Sequence, residues 1–329
     1  MSRAPTKPYR SPWWLPGGNA QTLYAVALAR RPKGRLHIDR WDTPDGDVVR
    51  VDRLEGDRAA PLVVFFHGLE GSAESHYVRS LALELQAMGW RMLVPHWRGC
   101  GGVQSSKPRA YHSGDTAEGR WMLERAAGLA DGAPLFAAGV SLGGSVLLNF
   151  LGHHPTEAGR CVQAAVAVSA PFDLAAGGDA LERGFNRFYT KIFLSTMKPA
   201  ALAKLVQFPG LFDEARLRAA QTLRAFDDVF TGPLHGYEGV DDFWSRASSK
   251  QVLRHIVVPT LLLNARNDPF LPDQHLPRAD EVSAAVTVEY PSDGGHVGFV
   301  SGPFPGNLRW LPLRIIEYFN QALRPKPSQ

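Results

Sequence analysis

The chain is poor in cysteine. Its 329 residues hold two, Cys100 and Cys161, too few for a disulfide framework and more in keeping with a reducing compartment. Neither sits where a catalytic thiol can be argued, so each reads as a small buried hydrophobe. Long apolar runs are also missing. None approaches the roughly 20 residues needed to cross a bilayer, and the start Met1-Ser2-Arg3-Ala4-Pro5-Thr6-Lys7 has no apolar signal core. These absences lead to the expectation of a cytoplasmic protein. Charge of one sign is not in excess: 36 Lys and Arg face 32 Asp and Glu, for a net charge of +4. No basic patch interleaved with aromatics marks a nucleic-acid module, so no nucleic-acid partner is expected. Gly99-Cys100-Gly101-Gly102-Val103-Gln104 begins like a dinucleotide fingerprint but lacks the third glycine. There is no P-loop and no H-E-x-x-H, and His153 and His154 are adjacent, so they point apart. No cofactor and no metal are expected.

What is present is an apolar fraction of 44%, enough for a sizeable core, arranged in alternating strand-like and helix-like runs. A hairpin comes first, with Leu36 to Trp41, a turn at Asp45-Gly46, and Val48 to Leu54. Then follow Leu62 to Phe66, Tyr77 to Met88, Arg91 to Pro95, Asp115 to Leu129, Leu135 to Val140, Leu142 to His153 and Val162 to Ser169. Asp115 with Glu118 reads as a capping pair. Such alternation means a mostly parallel sheet with helices on both faces, and the leading hairpin supplies antiparallel strands at one edge. Between about Pro171 and Lys250 the alternation stops and helical spacing takes over. The expected organisation is an arm over 1–34, a core over 35–170 and 251–329, and a helical insertion over 171–250. In the arm, Arg30-Arg31-Pro32-Lys33-Gly34-Arg35 reads as solvated surface.

Ser141 carries the strongest chemical signal. It lies in Gly139-Val140-Ser141-Leu142-Gly143, directly after a strand-like run and directly before a helix-like one. A strand that reverses sharply into a helix strains its corner residue, and the flanking glycines remove side chains that would collide there. The hydroxyl then stands alone above the sheet, over the positive end of the helix. A serine hydroxyl needs a base, and the base needs an orienting carboxylate, in the chain order Ser, Asp or Glu, His. Downstream, Val258 to Asn264 reads as a buried strand that runs into Asn267-Asp268-Pro269. Ala285 to Tyr290 alternates as a strand and ends in Gly294-Gly295-His296. Both Asp268 and His296 thus leave the carboxyl ends of strands, where open parallel sheets place their ligands. Of eleven histidines, His296 alone follows the last expected strand in a glycine-flanked loop. Asp273 and Asp293 are rival carboxylates for the third position.

The strand Pro61 to Phe66 ends in His67-Gly68-Leu69-Glu70-Gly71-Ser72. The amides of Leu69 and Leu142 are placed to bind a developing oxyanion, and Gly68 lets the backbone come close to the substrate. The His67 ring reads as a brace for the loop, since only backbone donors are needed there.

These features together resemble the alpha/beta-hydrolase fold. Finer marks resemble its YheT-type branch: Trp14-Leu15-Pro16-Gly17-Gly18-Asn19-Ala20-Gln21-Thr22, Trp97-Arg98-Gly99-Cys100, Tyr111-His112-Ser113-Gly114-Asp115, Phe226-Asp227-Asp228-Val229-Phe230-Thr231 and Gly294 to Phe299. The resemblance runs from about Trp13 to about Tyr318. It implies a serine hydrolase acting on carboxylic esters, with relatives active on short-chain esters and on lipids. One departure is Asn267, where the branch would place an acid before Asp268-Pro269. The missing acid is not the one assigned to the catalytic group.

In the insertion, Phe185, Phe188, Tyr189, Ile192, Phe193 and Met197 recur at helical spacing. This is either a core-facing stripe or a wall for an acyl chain over Ser141, with Phe188 and Phe193 the foremost wall residues. Arg183, Arg187 and Lys191 fall on another line of the same helix, so contact with an anionic membrane surface is one expectation. His275 to Asp280 spells H-x-x-x-x-D, a pattern linked to acyl transfer in some hydrolase relatives, and with eleven histidines it is treated as accidental. The expected activity is ester hydrolysis through an acyl-enzyme on Ser141, with His296 as base and Asp268 as its orienting group. An acyltransferase with the same three residues is the alternative, and a non-catalytic binding or scaffolding protein is the third reading.

Overall fold

The computed structural model describes residues 7–27 and 36–324. The basic run from Arg30 to Arg35 therefore lies outside the described residues, as does much of the expected arm. Eight strands form one sheet in the order β1-β2-β4-β3-β5-β6-β7-β8. They are β1 (His37–Asp42), β2 (Val48–Leu54), β3 (Leu62–Phe66), β4 (Arg91–Pro95), β5 (Leu135–Val140), β6 (Ala164–Val168), β7 (Thr260–Leu263) and β8 (Val286–Glu289). The hairpin β1–β2 is antiparallel and joins β4 in antiparallel pairing, and every later pairing is parallel.

The central strands are apolar on both faces because both faces are covered. On β3, Leu62, Val64 and Phe66 enter one core, and Val63 and Phe65 enter the other. On β5 the same alternation separates Leu135 and Ala137 from Phe136, Ala138 and Val140. Helix α1 (Gly18–Ala27) precedes the sheet. Helices α2 (His76–Gln86), α3 (Thr116–Ala130), α4 (Leu142–His153) and α5 (Pro155–Cys161) fall between its strands. Met122, Val146 and Leu147 of α3 and α4 belong to the first core, and Leu81 and Leu85 of α2 to the second. Asp115 caps α3 by accepting from the Glu118 amide at 3.2 Å. Glu118 does not complete the expected pair. It is buried against the Arg98 guanidinium at 3.1 Å, and that ion pair takes the carboxylate away from the helix end. Helix α5 was not expected; a proline at its first turn starts it.

Between β6 and β7 the described residues contain no strand. Instead come α6 (Leu174–Leu181), α7 (Arg187–Gln207), α8 (Glu214–Ala219), α9 (Leu223–Phe226), a π-helical turn over Asp227–Thr231, α10 (Gly232–Leu234) and α11 (Val240–Ala247). This segment has a small core of its own, in which Leu194, Ala201, Leu217, Phe226 and Phe230 pack together. Helix α12 (Trp310–Ala322) closes the chain onto the second core through Ile315, Ile316 and Phe319. Among the described residues no helix is long and apolar enough to cross a membrane.

Candidate active site

Ser141 occupies the corner between β5 and α4 with φ 53° and ψ −124°, a backbone conformation that costs a non-glycine residue energy. The surroundings enforce it. A Cβ on Gly139 would come within 2.4 Å of the Gly143 carbonyl oxygen, and one on Gly143 within 2.4 Å of the Phe66 carbonyl oxygen. The Ser141 amide is held by the Val168 carbonyl at 2.9 Å, which ties the corner to β6. Leu142 opens α4, so its N–H has no acceptor within the helix. Leu69 follows β3 in the loop facing the corner. A Cβ on Gly68 would lie 3.1 Å from the Ser141 Cβ, so any larger residue there crowds the serine.

His67 is fully buried, with Nδ1 2.8 Å from the Gly68 carbonyl and Nε2 accepting from the Trp97 amide at 3.4 Å. Burial, with the neighbouring His96 adding to it, pushes its pKa down to about 3. A neutral ring with Nδ1 as donor satisfies both contacts, and this is a brace rather than a proton carrier.

The His296 Nδ1 lies 3.0 Å from Asp268 Oδ2 and 3.2 Å from Oδ1. Asp268 is buried and also accepts from the Phe270 amide at 2.8 Å. The Phe270 ring lies against the imidazole with ring centres 4.1 Å apart. The rival carboxylates are occupied elsewhere: Asp273 pairs with Arg266 at 2.7 Å, and Asp293 accepts from Asn267 at 3.1 Å.

Several residues that shape this loop escape sequence reasoning. Thr22 Oγ1 accepts from the His296 amide at 2.8 Å, and Gln21 Oε1 accepts from the Gly294 amide at 2.8 Å. Asn267 donates to both Gln21 Oε1 and Asp293 Oδ1 and accepts from the Gly295 amide. Its amide supplies donors that a carboxylate lacks, which accounts physically for the asparagine. The one signal for α1 is the run from Trp14 to Thr22, whose role is to back the histidine loop from the far end of the chain.

Ser141, Asp268 and His296 line one cavity of about 130 Å³, together with Leu69 and Leu142. The insertion supplies much of its wall, including Leu174, Leu181, Phe193, Met197 and Trp244. A second cavity of about 340 Å³ shares Leu69, Ser141, Phe193, Phe270 and His296 and opens between α1 and α7 at Val26 and Ile192. Gly68 lines this second cavity, and Phe193 lines both. Phe188 lines neither. It is 47% exposed and rests on Phe185 and Tyr189. Helix phase explains the split: Tyr189, Phe193 and Met197 at i, i+4 and i+8 face the two cavities, and Phe188 falls about 100° away. Neither cysteine is bonded, and burial pushes the Cys100 thiol up to about 12.

A doubly covered, mostly parallel sheet with a strained serine between strand and helix, and an Asp–His pair on later loops, defines a class of α/β enzyme. Residues 61–303 match the family model for the alpha/beta hydrolase fold. The chain is 36% identical over 311 residues to YheT of Escherichia coli (strain K12), provisionally named an esterase, covering 93% of this chain and 91% of that protein. It is 27% identical over 328 residues to phospholipase ABHD3 of Mus musculus, covering 97% and 79%. It is 30% identical over 288 residues to monoacylglycerol lipase of Saccharomyces cerevisiae, covering 83% and 63%. Among solved structures, Est1E of Butyrivibrio proteoclasticus with bound ferulic acid superposes with a TM-score of 0.55 at 12% identity, covering 88% of this chain and 99% of that one. The chain belongs to the alpha/beta-hydrolase family, in its YheT-type branch.

Proposed function

We propose that this protein is a serine hydrolase of carboxylic esters, working through an acyl-enzyme on Ser141. The observation that carries the reading is that Ser141, forced to a positive φ, opens onto the same cavity as a histidine held 3.0 Å from a buried aspartate. The Ser141 hydroxyl attacks the ester carbonyl carbon, and His296 takes its proton. The Leu69 and Leu142 amides receive the oxyanion as the tetrahedral intermediate forms. Protonated His296 then gives its proton to the leaving alcohol, and the C–O bond breaks to leave the acyl-enzyme. Water attacks next with the same base and oxyanion donors, and the acid departs. Asp268 keeps the imidazole proton on Nδ1, so that Nε2 is free to accept, and it stabilises the imidazolium. Phe270 keeps the ring from rotating away. The names of the relatives, an esterase, a phospholipase and a monoacylglycerol lipase, support ester substrates with acyl chains, and the apolar wall supplied by residues 171–250 suits them.

The exposed side of α7 supports work at a lipid surface. Phe185, Phe188 and Ile192 are exposed beside Arg187 and Lys191, next to the mouth of the second cavity. An apolar stripe edged by cations suits an anionic bilayer.

The test is a fluorophosphonate probe together with hydrolysis of p-nitrophenyl esters. The wild type should be labelled and should release p-nitrophenol, and Ser141→Ala should do neither. Equal labelling of the two proteins sinks the assignment.

A further inference from the structure

One carboxylate in the cavity is not used by the chemistry above. Asp227 lines the same 130 Å³ cavity as Ser141, within walls made largely of Leu, Phe, Met and Trp side chains. Its oxygens accept from the Thr231 hydroxyl at 2.6 Å and from the Trp244 indole N–H at 2.8 Å. Among the described residues no Lys, Arg or His forms an ion pair with it, whereas its neighbour Asp228 turns outward to Arg216. Burial raises the Asp227 pKa to about 6, against the lowering effect of its two hydrogen bonds.

The placement is costly. An uncompensated carboxylate in an apolar site loses hydration that two neutral donors do not restore. An asparagine would hold either neighbour without that charge. A carboxylate has about four acceptor positions, so after Thr231 and Trp244 about two remain. The turn that carries it, Asp227–Thr231, is π-helical, a form that recurs at functional sites because it redirects one residue out of the regular helix. The run from Phe226 to Thr231 is also a sequence mark to which the proposed chemistry gives no task.

We propose that Asp227 recognises a hydroxyl group on the substrate, so that the enzyme favours hydroxylated esters over plain alkyl esters of the same length. The hydroxyl donates to a free acceptor position of the carboxylate, inside a cavity where water is displaced by the rest of the ligand. A plain chain leaves that position desolvated and unpaired, and this is how a buried polar group rejects the wrong ligand. The hydroxyl has two possible sources, the acyl chain or the alcohol. The inference rests on the ester-hydrolase reading for its kinetic test but not for its binding test.

Two matched pairs separate the sources. Methyl 8-hydroxyoctanoate against methyl octanoate places the hydroxyl on the acyl side, and 1-octanoylglycerol against propyl octanoate places it on the alcohol side. In one pair, wild-type kcat/KM should favour the hydroxylated member about tenfold or more, the scale of one hydrogen bond to a charged group. Asp227→Asn should shrink that ratio and Asp227→Ala should bring it close to one, with melting curves to confirm that each variant folds. A merely structural role would lower both members of a pair equally and leave the ratio unchanged, and that result overturns the inference. A wild type that shows no preference in either pair overturns it as well, while leaving the hydrolase reading intact. If no ester is cleaved and no probe reacts, the hydrolase reading fails instead. Calorimetric affinity of Ser141→Ala for the same pairs then decides the Asp227 inference alone, and equal affinities sink it.

Discussion

The loops at the carboxyl ends of the strands and the helical segment between β6 and β7 meet around one cavity, but they are built on different physics. The loops are fixed by backbone. Ser141 is held by glycines at contact limits and by the Val168 carbonyl, and the His296 loop by amides donating to Gln21, Thr22 and Asn267. The insertion contributes side chains, mostly apolar, with positions set by helix phase and by a small separate core. On the chemistry proposed above, the loops would govern whether a reaction occurs, and the insertion which molecule undergoes it. A fault in the first should alter rate for every substrate, and a fault in the second should alter ratios between substrates.

The largest expected effect tests the loop side. Asp268→Asn should keep the fold and lower kcat by about 10⁴, the scale seen when a triad aspartate is made neutral and the wrong imidazole tautomer is favoured. Asp293→Asn should do far less, because Asp293 touches Asn267 and not the imidazole. Single-turnover kinetics on both variants measure the contrast. If Asp293→Asn is the crippling change, the orienting carboxylate has been misassigned.

The next effect concerns pH and stability. His67 on the loop side and His112 in the cavity wall are both buried, and burial, the largest cause for each, lowers their pKa values to about 3 and about 4 from the ordinary 6.5. The unfolded chain therefore binds these protons first. Their contribution is present above about pH 6.5 and is lost progressively below it, until pH reaches about 4 for His112 and about 3 for His67, at up to about 1.4 kcal/mol per pH unit for each ring. Urea midpoints should fall steadily from pH 7 to pH 4.5, and His112→Gln should give a shallower fall. A midpoint that rises on acidification contradicts the buried neutral state of both rings.

The sequence yields the two sides unequally, for the same physical reason. The Ser141 corner, Asp268 and His296 stand out because backbone geometry demands glycines at fixed positions and because strand ends are visible as changes of period. What backs them is not visible. Gln21 and Thr22 support a loop more than 270 residues away, and no local pattern records such a contact. In the insertion, the aromatic stripe from Phe185 to Met197 is plain, but which residues face the cavity depends on which arc of α7 turns toward Phe270 and the cavities. Phe193 falls on that arc and Phe188 does not. Asp227 was visible only as part of a run, because its lack of an ion pair among the described residues is a fact of packing.

A smaller effect tests the insertion side directly. Each methylene of an acyl chain buried against the wall contributes about 0.8 kcal/mol. Phe193→Ala, which removes wall from both cavities, should lower kcat/KM for an octanoyl ester about tenfold relative to an acetyl ester. Phe188→Ala should leave that ratio where it was. Equal shifts in the two variants, or a loss of melting temperature with no change of ratio in either, return the stripe to a packing role.

The smallest effect concerns the outer side of α7, where Phe185 and Phe188 are exposed beside Arg187 and Lys191. Each cation near an anionic bilayer contributes about 1 kcal/mol, and a shallowly inserted ring adds to this through its buried area. Wild type should therefore sediment with vesicles containing phosphatidylserine and less with pure phosphatidylcholine. Phe185→Glu with Phe188→Glu should weaken sedimentation several-fold on both compositions, because the apolar term is common to them. Arg187→Gln with Lys191→Gln should weaken it only on the anionic vesicles, and added salt should reproduce that loss in the wild type. The two pairs thus separate apolar insertion from charge attraction on one helix. If neither pair changes sedimentation, α7 does not face a membrane, and its exposed rings need an explanation confined to the mouth of the second cavity.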